Sequence, residues 1–99
     1  MRLTTEAKQV IRDTAREIFG ETVDVRLFGS RIDDAAAGGD LDLLVVSGET
    51  VPDRERKILR FVARLQLRLG DQPIDVLVVD PATMRQPIHE QALRQGVSL

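Results

Sequence analysis

The fold is decided by two stretches of this sequence, Leu27-Phe28-Gly29-Ser30-Arg31 and Asp40-Leu41-Asp42-Leu43-Leu44-Val45-Val46. The first predicts an apolar strand that ends in a Gly-Ser turn, and the second predicts an apolar strand that opens with two carboxylates. Because residues two apart on a strand point to the same face, Asp40 and Asp42 project together. Two neighbouring carboxylates repel each other, and burying either one alone is costly. A divalent cation such as Mg²⁺ removes both penalties and prefers oxygen ligands, so the pair predicts a metal site.

The Gly-Ser turn between these strands has the chemistry of a phosphate site. Gly29 lets the backbone approach a bulky anion, and Ser30 offers an N–H and a hydroxyl to a phosphate. A role for Ser30 as a helix cap, in which its hydroxyl oxygen accepts a hydrogen bond from a backbone N–H, is compatible with phosphate binding. Arg31 contacts a triphosphate or pairs with Asp33 or Asp34, and these alternatives stay open. A metal site beside a phosphate site indicates nucleotide chemistry.

Length and composition limit the class of protein. The 99 residues predict one domain over residues 1–99, and the net charge of −2 argues against a dedicated nucleic-acid-binding protein. The sequence contains no cysteine, which excludes disulfides and thiolate metal sites and favours the reducing cytoplasm. Its uninterrupted apolar runs, such as Leu43 to Val46, are far too short to span a membrane, and the N-terminus shows no signal-peptide pattern.

Hydrophobic periodicity and capping residues predict alternating helices and strands. Helices are expected from Thr4 or Thr5 to Gly20, from a capping Asp53 to Leu69, and from Pro87 to Gln95. Strands are expected at Val23–Leu27, Asp40–Val46 and Ile74–Val79, with a short edge strand at Val97–Leu99. A short helix or turn is expected over residues 30–37, and Asp80-Pro81 can start another helical turn. The inward stripe of the second long helix is predicted to be Ile58, Val62, Leu65 and Leu69.

The placement of the acids predicts the direction of each strand. The second and third strands are joined by a helix of about four to five turns, which suits a parallel crossover. Both strands carry acids at their N-terminal ends, Asp40 and Asp42 on one and Asp75 on the other. The Gly-Ser turn follows the C-terminal end of the first strand, so that strand must run antiparallel to the other two to reach the same place. The expected fold is therefore α/β, with a small mixed sheet flanked by helices.

The combined pattern resembles the nucleotidyltransferase fold of the DNA polymerase β superfamily. Its elements are an apolar-Gly-Ser turn, a connector, an Asp-apolar-Asp strand and a single Asp on a later strand. The short length, together with Leu27-Phe28-Gly29-Ser30-Arg31 and Asp40-Leu41-Asp42-Leu43-Leu44-Val45, is most similar to the minimal members, the MNT-type antitoxins. The resemblance covers essentially the whole chain, from the first helix to Gly96-Val97.

This resemblance implies an activity, a metal and a partner. Asp40 and Asp42 would bind catalytic Mg²⁺ or Mn²⁺ ions, and Asp75 would complete the set and help to activate the acceptor hydroxyl. Gly29 and Ser30 would hold the nucleoside triphosphate. Minimal members are typically encoded with a HEPN-type ribonuclease toxin, and some transfer AMP from ATP to a tyrosine of that toxin. The small chain is further expected to form a homo- or hetero-oligomer, in which a partner chain or a second copy completes the site.

Other residues compete for roles or suggest additional ones. Asp80 competes with Asp75 for the third acidic position, but it lies five positions on, at the far end of the strand and on its opposite face. His89, the single histidine, is expected to be structural or solvated rather than catalytic. The second long helix repeats arginine every four residues, a pattern that predicts either a solvated face or a docking surface for an acidic partner: Arg56, Arg60, Arg64 and Arg68.

Three functions remain open at this point. The chain is a metal-dependent nucleotidyltransferase that modifies a partner protein, an antitoxin that neutralises its partner by binding alone, or an enzyme that modifies a small molecule. The intact acids Asp40, Asp42 and Asp75 favour an enzyme. A small-molecule enzyme would need a pocket for its acceptor, for which the sequence offers few residues.

Overall fold

The computed structural model describes residues 3–29 and 41–99. They contain, in chain order, α1 (Thr5–Phe19), β1 (Asp24–Phe28), β2 (Leu41–Val46), α2 (Arg54–Leu69), β3 (Ile74–Val79), α3 (Pro87–Gln95) and β4 (Val97–Ser98). The short helix or turn predicted over residues 30–37 lies outside the described residues. Within the described ranges, no helix is both long and apolar enough to cross a membrane.

The strands form one mixed sheet in the order β3-β2-β1-β4. β2 pairs with β3 in parallel, while β1 pairs antiparallel with both β2 and β4. This arrangement confirms the predicted α/β fold, including the antiparallel first strand. β4 is short, and its pairing is extended by a hydrogen bond of 3.0 Å from the Leu99 N–H to the Val25 carbonyl.

One face of the sheet is covered by α1 and α2 and holds the main core. Alternate residues of the three longer strands point into this core together with one side of each helix, so the period-two and period-3.6 patterns meet there. The fully buried side chains include Ile11, Ala15, Leu27, Leu41, Leu43, Val45, Phe61 and Leu65. Between the helices, the rings of Phe19 and Phe61 pack edge to face with centroids 5.4 Å apart.

The inward face of α2 is rotated from the predicted stripe. Phe61 and Leu65 are fully buried, whereas Ile58, Val62 and Leu69 only pack partly against the core. The reason is that α2 packs beside α1 as well as on the sheet, which brings Phe61 to the centre. The hydrophobic periodicity predicts the side of α2 that faces the sheet, but it does not show that α1 packs beside α2.

The opposite face of the sheet carries a smaller cluster beneath α3. Leu44, Val79 and Ala92 are buried there, with Phe28 and Leu77 among the apolar residues that pack at its margin. α3 is held at its start by reciprocal hydrogen bonds between Gln86 and His89 and ends at Gly96, as the sequence predicts. Because α3 is short, it covers only part of this face.

The helix ends confirm some predicted caps and correct one. The Thr4 side chain accepts a hydrogen bond of 3.0 Å from the Ala7 N–H, and α1 ends at Gly20 as expected. Asp53 occupies the N-cap position of α2, but the prediction that it caps the helix is wrong. Its φ is 51°, in the left-handed region, and its side chain makes no capping hydrogen bond. The start of α2 is instead held in place by side-chain contacts with the segment that follows β3.

That segment begins with Asp80-Pro81, which could start a helical turn; the Thr83 N–H donates a hydrogen bond of 3.1 Å to the Asp80 carbonyl, but this single turn does not continue as a helix. Residues 81–82 form a turn that leads into an irregular stretch. The Asp80 carboxylate accepts hydrogen bonds from the Ala82 N–H at 2.9 Å and from the Thr83 hydroxyl at 3.1 Å. These short-range bonds stabilise a turn, because an Asp side chain competes with the backbone pattern of a helix.

Candidate functional site

Two of the predicted site acids lie side by side on neighbouring parallel strands. Asp42 of β2 and Asp75 of β3 are register partners, and Phe28 is the partner of Asp42 on β1. Neighbouring strands lie about 5 Å apart, and register partners project from the same face of the sheet. Asp42 is half-buried and Asp75 is exposed. The strands therefore bring the two carboxylates together at the N-terminal end of the parallel pair.

Gly29 lies directly against the first of these carboxylates. Its φ is 77°, a conformation that side-chain-bearing residues rarely adopt. A Cβ built on Gly29 would lie 3.0 Å from Cγ of Asp42 and would overlap its Oδ2 oxygen. The turn thus needs glycine for two reasons, its backbone angle and the space that the carboxylate occupies. The backbone that is predicted to bind phosphate lies next to the acid that is predicted to bind metal.

The site lies on the same face of the sheet as α3, beyond the cluster that α3 covers. Asp42 shares its face with Leu44, which α3 buries two residues further along the strand. The acids stand beyond that cluster, and Asp75 faces solvent. Asp75 is therefore accessible from solvent.

Residues 8–96 match the family of the nucleotidyltransferase domain, and this range contains the turn and both acids. The chain belongs to the nucleotidyltransferase domain family. Proteins of this family transfer a nucleotide from a nucleoside triphosphate and generally use a divalent metal ion. A comparison with curated proteins gives no match.

The remaining predicted site residues of this nucleotidyltransferase domain are Ser30, Arg31 and Asp40, which lie outside the described residues. Their roles, and those of Gly29 and the other acids, stay predictions. Within residues 3–29 and 41–99, no group of three or more His, Cys, Asp or Glu side chains is placed to hold a metal ion. The carboxylates of Asp42 and Asp75 are hard oxygen donors on one face, which suits a divalent cation.

Asp80, the acid that competes with Asp75 for the third acidic position, directly follows β3 and has a different environment. Asp80 is 6% exposed and lies where the loops after β2 and β3 meet. Its Oδ2 accepts a hydrogen bond of 2.9 Å from the Val51 N–H, and its Oδ1 lies 3.7 Å from Arg54 Nη1. The hydrogen bond from Val51 lowers the pKa of the Asp80 carboxyl and outweighs burial, which alone would raise that pKa. These contacts give Asp80 a structural role at the end of the strand remote from Asp75.

The four arginines of the α2 repeat fall into two groups. Arg64 and Arg68 each lie 3.2 Å from the Glu17 carboxylate of α1, so they bind the two helices together. Arg56 and Arg60 are exposed and form no ion pair within the described ranges. Only this second pair remains available as a solvated or docking face.

One feature of the site region was missed from the sequence: a groove beside β3. A cavity of about 510 Å³ runs along the outer edge of this strand, lined by Val76, Leu77 and Val78 together with α2 and residues 82–89. No residue pattern could have indicated it, because β3 becomes an edge strand only through the strand order of the sheet. The His89 ring borders this groove, and its Nδ1 accepts a hydrogen bond of 2.9 Å from the Gln86 N–H.

Proposed function

We propose that this nucleotidyltransferase domain transfers AMP from ATP to a hydroxyl group of a partner protein. The observation that carries the proposal is the juxtaposition of Gly29, Asp42 and Asp75 at one open end of the sheet. Divalent ions, Mg²⁺ or Mn²⁺, would be held by Asp40, Asp42 and Asp75 and would supply charge stabilisation to the transferring phosphoryl group. A protein acceptor is favoured because Asp75 is exposed and can be approached by a large molecule.

The residues of the chain divide the work of the transfer between them. The backbone at Gly29 and the donors of Ser30 and Arg31 hold the triphosphate, and Asp75 orients the acceptor hydroxyl and takes its proton. The acceptor oxygen bonds to the α-phosphorus, the bond from that phosphorus to the bridging oxygen breaks, and pyrophosphate leaves with the electron pair. The resulting product is an AMP ester of the acceptor side chain.

The resemblance to MNT-type antitoxins suggests the biological setting. The partner would be a HEPN-type ribonuclease toxin, and transfer of AMP would silence it in the cytoplasm. The role of the chain would then be that of an antitoxin that acts by catalysis rather than by occlusion.

Calorimetry tests the nucleotide and metal parts of this proposal. We expect ATP to bind to the wild-type chain with Mg²⁺ present and to bind much more weakly without it. Asp42→Asn keeps the shape of the side chain but removes its charge, so it should abolish the dependence of ATP affinity on metal. Equal ATP affinity for both proteins with and without Mg²⁺ would contradict the proposed site.

A further inference from the structure

The outer edge of β3 presents backbone hydrogen-bonding groups that pair with no strand of the described residues. The Pro73 carbonyl accepts a hydrogen bond of 3.0 Å from the Leu41 N–H at the start of β2. The Val79 carbonyl accepts one of 2.9 Å from the Ser47 N–H, just after β2. The N–H and C=O of a parallel-strand residue point to the same side, and that side alternates along the strand. Odd-numbered residues of β3 therefore face β2. Ile74, Val76 and Val78 present their N–H and C=O groups to the open edge.

The groove along this edge has a wall on each side. α2 contributes Glu55 and Ile58, and residues 82–89 contribute the opposite wall. That second wall includes Met84, an apolar side chain that is 88% exposed. A second copy of the chain would bring its own α2 and its own residues 82–89 against these walls, whereas a single extended segment fits between them. The occupant favoured by this shape is one strand.

An added strand would pass directly beside the site acid of β3. In two antiparallel strands, opposite residues whose N–H and C=O groups point away from the partner strand form a non-hydrogen-bonded pair. Their Cβ atoms lie about 5 Å apart. Asp75 faces away from the edge, so the residue opposite it would form such a pair. The side chain of that residue would project from the same face as Asp75 and Asp42.

We propose that the acceptor protein binds to the edge of β3 as an added antiparallel strand and presents its hydroxyl residue opposite Asp75. This inference rests on the proposed function, because it identifies the form in which that site takes its acceptor. The Ser, Thr or Tyr oxygen then lies next to the carboxylate that accepts its proton, and the backbone of Ile74 and Val76 holds the segment in register.

The groove also sets a preference for the neighbouring residues of the acceptor. In the antiparallel direction, the residue two positions before the hydroxyl residue lies opposite Leu77, on the side of the groove where Met84 is exposed. The residue immediately before the hydroxyl residue lies opposite Val76 and faces Ile58 of α2. We expect apolar side chains to be preferred at both positions.

Hydrogen exchange tests the edge strand without requiring turnover. In the free protein, the Val76 and Val78 amides should exchange faster than those of Asp75 and Leu77, which β2 protects. The probe is an eight-residue peptide with one central tyrosine, apolar neighbours and terminal lysines, added with Mg²⁺ and a non-hydrolysable ATP analogue. Binding should slow exchange at Val76 and Val78 and leave Asp75 and Leu77 unchanged.

N-methylated forms of the same peptide test the register. Methylation of the residue just before or just after the tyrosine removes an N–H that faces Val76 or Ile74, and it should raise the peptide KM for AMP transfer about tenfold. Methylation of the tyrosine nitrogen, which faces away from β3, is the matched control and should leave KM nearly unchanged. An acceptor that is bound as a helix or through side chains alone would not show this alternation.

A pair of protein variants completes the test. Met84→Lys should raise the peptide KM about tenfold with ATP affinity unchanged, whereas Leu67→Lys should alter neither quantity. Leu67 is the matched control because it is also apolar, 87% exposed and on the outer surface of α2. Transfer to the peptide without protection of Val76 and Val78, or without the methylation pattern, overturns the edge-strand proposal. A chain that binds ATP and Mg²⁺ but neither binds nor modifies the peptide also overturns it, whereas loss of metal-dependent ATP binding overturns the proposed function instead.

Discussion

At the scale of single residues, the site depends on a contact between a glycine and a carboxylate. The turn at Gly29 has no room for a side chain, because Asp42 occupies the position of a Cβ. Glycine at this point therefore leaves room for the Asp42 carboxylate, in addition to the approach of phosphate that the sequence predicts. The sequence motif of Gly-Ser followed by Asp-x-Asp contains both partners of this contact, Gly29 just after β1 and Asp42 on β2.

Gly29→Ala should weaken metal-dependent ATP binding in addition to destabilising the fold. The positive φ alone costs about 1–3 kcal/mol for a residue with a side chain, and the added methyl group must also displace the Asp42 carboxylate. We expect metal-dependent ATP affinity to fall at least about tenfold, measured by calorimetry. Gly20→Ala is the matched control, since Gly20 has a φ of 118° with nothing within 4 Å of a built Cβ. If both variants bind ATP equally well, Gly29 does not position Asp42.

Asp80 should contribute stability that depends on pH. Its pKa is lowered in the folded state, mainly by the hydrogen bond from Val51, so the folded protein binds this proton less readily than the unfolded chain does. The contribution is therefore complete above the ordinary Asp pKa of about 4 and is lost as the pH falls through the lower, folded pKa. Asp80→Asn should unfold about 1–3 kcal/mol more easily at pH 7.

Urea denaturation between pH 7 and pH 3 measures both effects. The difference in unfolding free energy between the wild type and Asp80→Asn should shrink as the pH falls below about 4. Asp71→Asn, which replaces an exposed acid, should follow the wild type throughout. A difference that stays constant across the pH range would show that the charge of Asp80 adds nothing to stability.

At the scale of the elements, α2 shows how packing divides one repeated pattern into different roles. The four-residue arginine repeat indicated a single basic face. In the structure, Arg64 and Arg68 are held by Glu17 of α1, while Arg56 and Arg60 point outward. The spacing alone could not reveal this division, because it arises from where α1 lies beside α2.

Charge reversal separates the two groups of arginines. Arg60→Glu should leave the unfolding free energy within about 0.5 kcal/mol of the wild type, as is usual for an exposed position without a partner. Arg64→Glu brings two carboxylates together at Glu17 and should cost about 0.5–1 kcal/mol. If α2 docks an acidic partner, Arg60→Glu should also raise the dissociation constant of that complex. Equal stabilities for the two variants would contradict the role assigned to the Glu17 contacts.

At the scale of the whole molecule, the sequence predicted the arrangement of the sheet better than the details of its surface. The mixed sheet followed from the acids, because Asp75 can reach Asp42 only if β2 and β3 are parallel. The central place of Phe61 depends on its contact with Phe19 of α1, which local patterns do not contain, and nothing in the sequence indicates the left-handed φ of Asp53. The groove beside β3 likewise follows from strand order and not from any motif.

Catalysis and occlusion, the two ways in which the chain could neutralise a partner, are distinguished by removing the metal-binding acids. Replacing Asp40 and Asp42 together with Asn preserves side-chain shape and removes the charges that would hold metal. Partner binding should therefore survive, since the proposed β3 edge and the exposed arginines of α2 are both untouched, while AMP transfer should fall by orders of magnitude. The first quantity is measured by calorimetry with the partner and the second by the mass increase of the partner.

The same variant then decides the biological role. If the chain acts by modifying a HEPN-type toxin, the double variant should fail to neutralise that toxin in cells although it is expressed at the wild-type level and still binds. Neutralisation that persists without AMP transfer would mean that the partner is silenced by occlusion. We expect the catalytic outcome, because the register of β2 and β3 places Asp42 and Asp75 side by side, an arrangement of oxygen donors that suits a divalent cation.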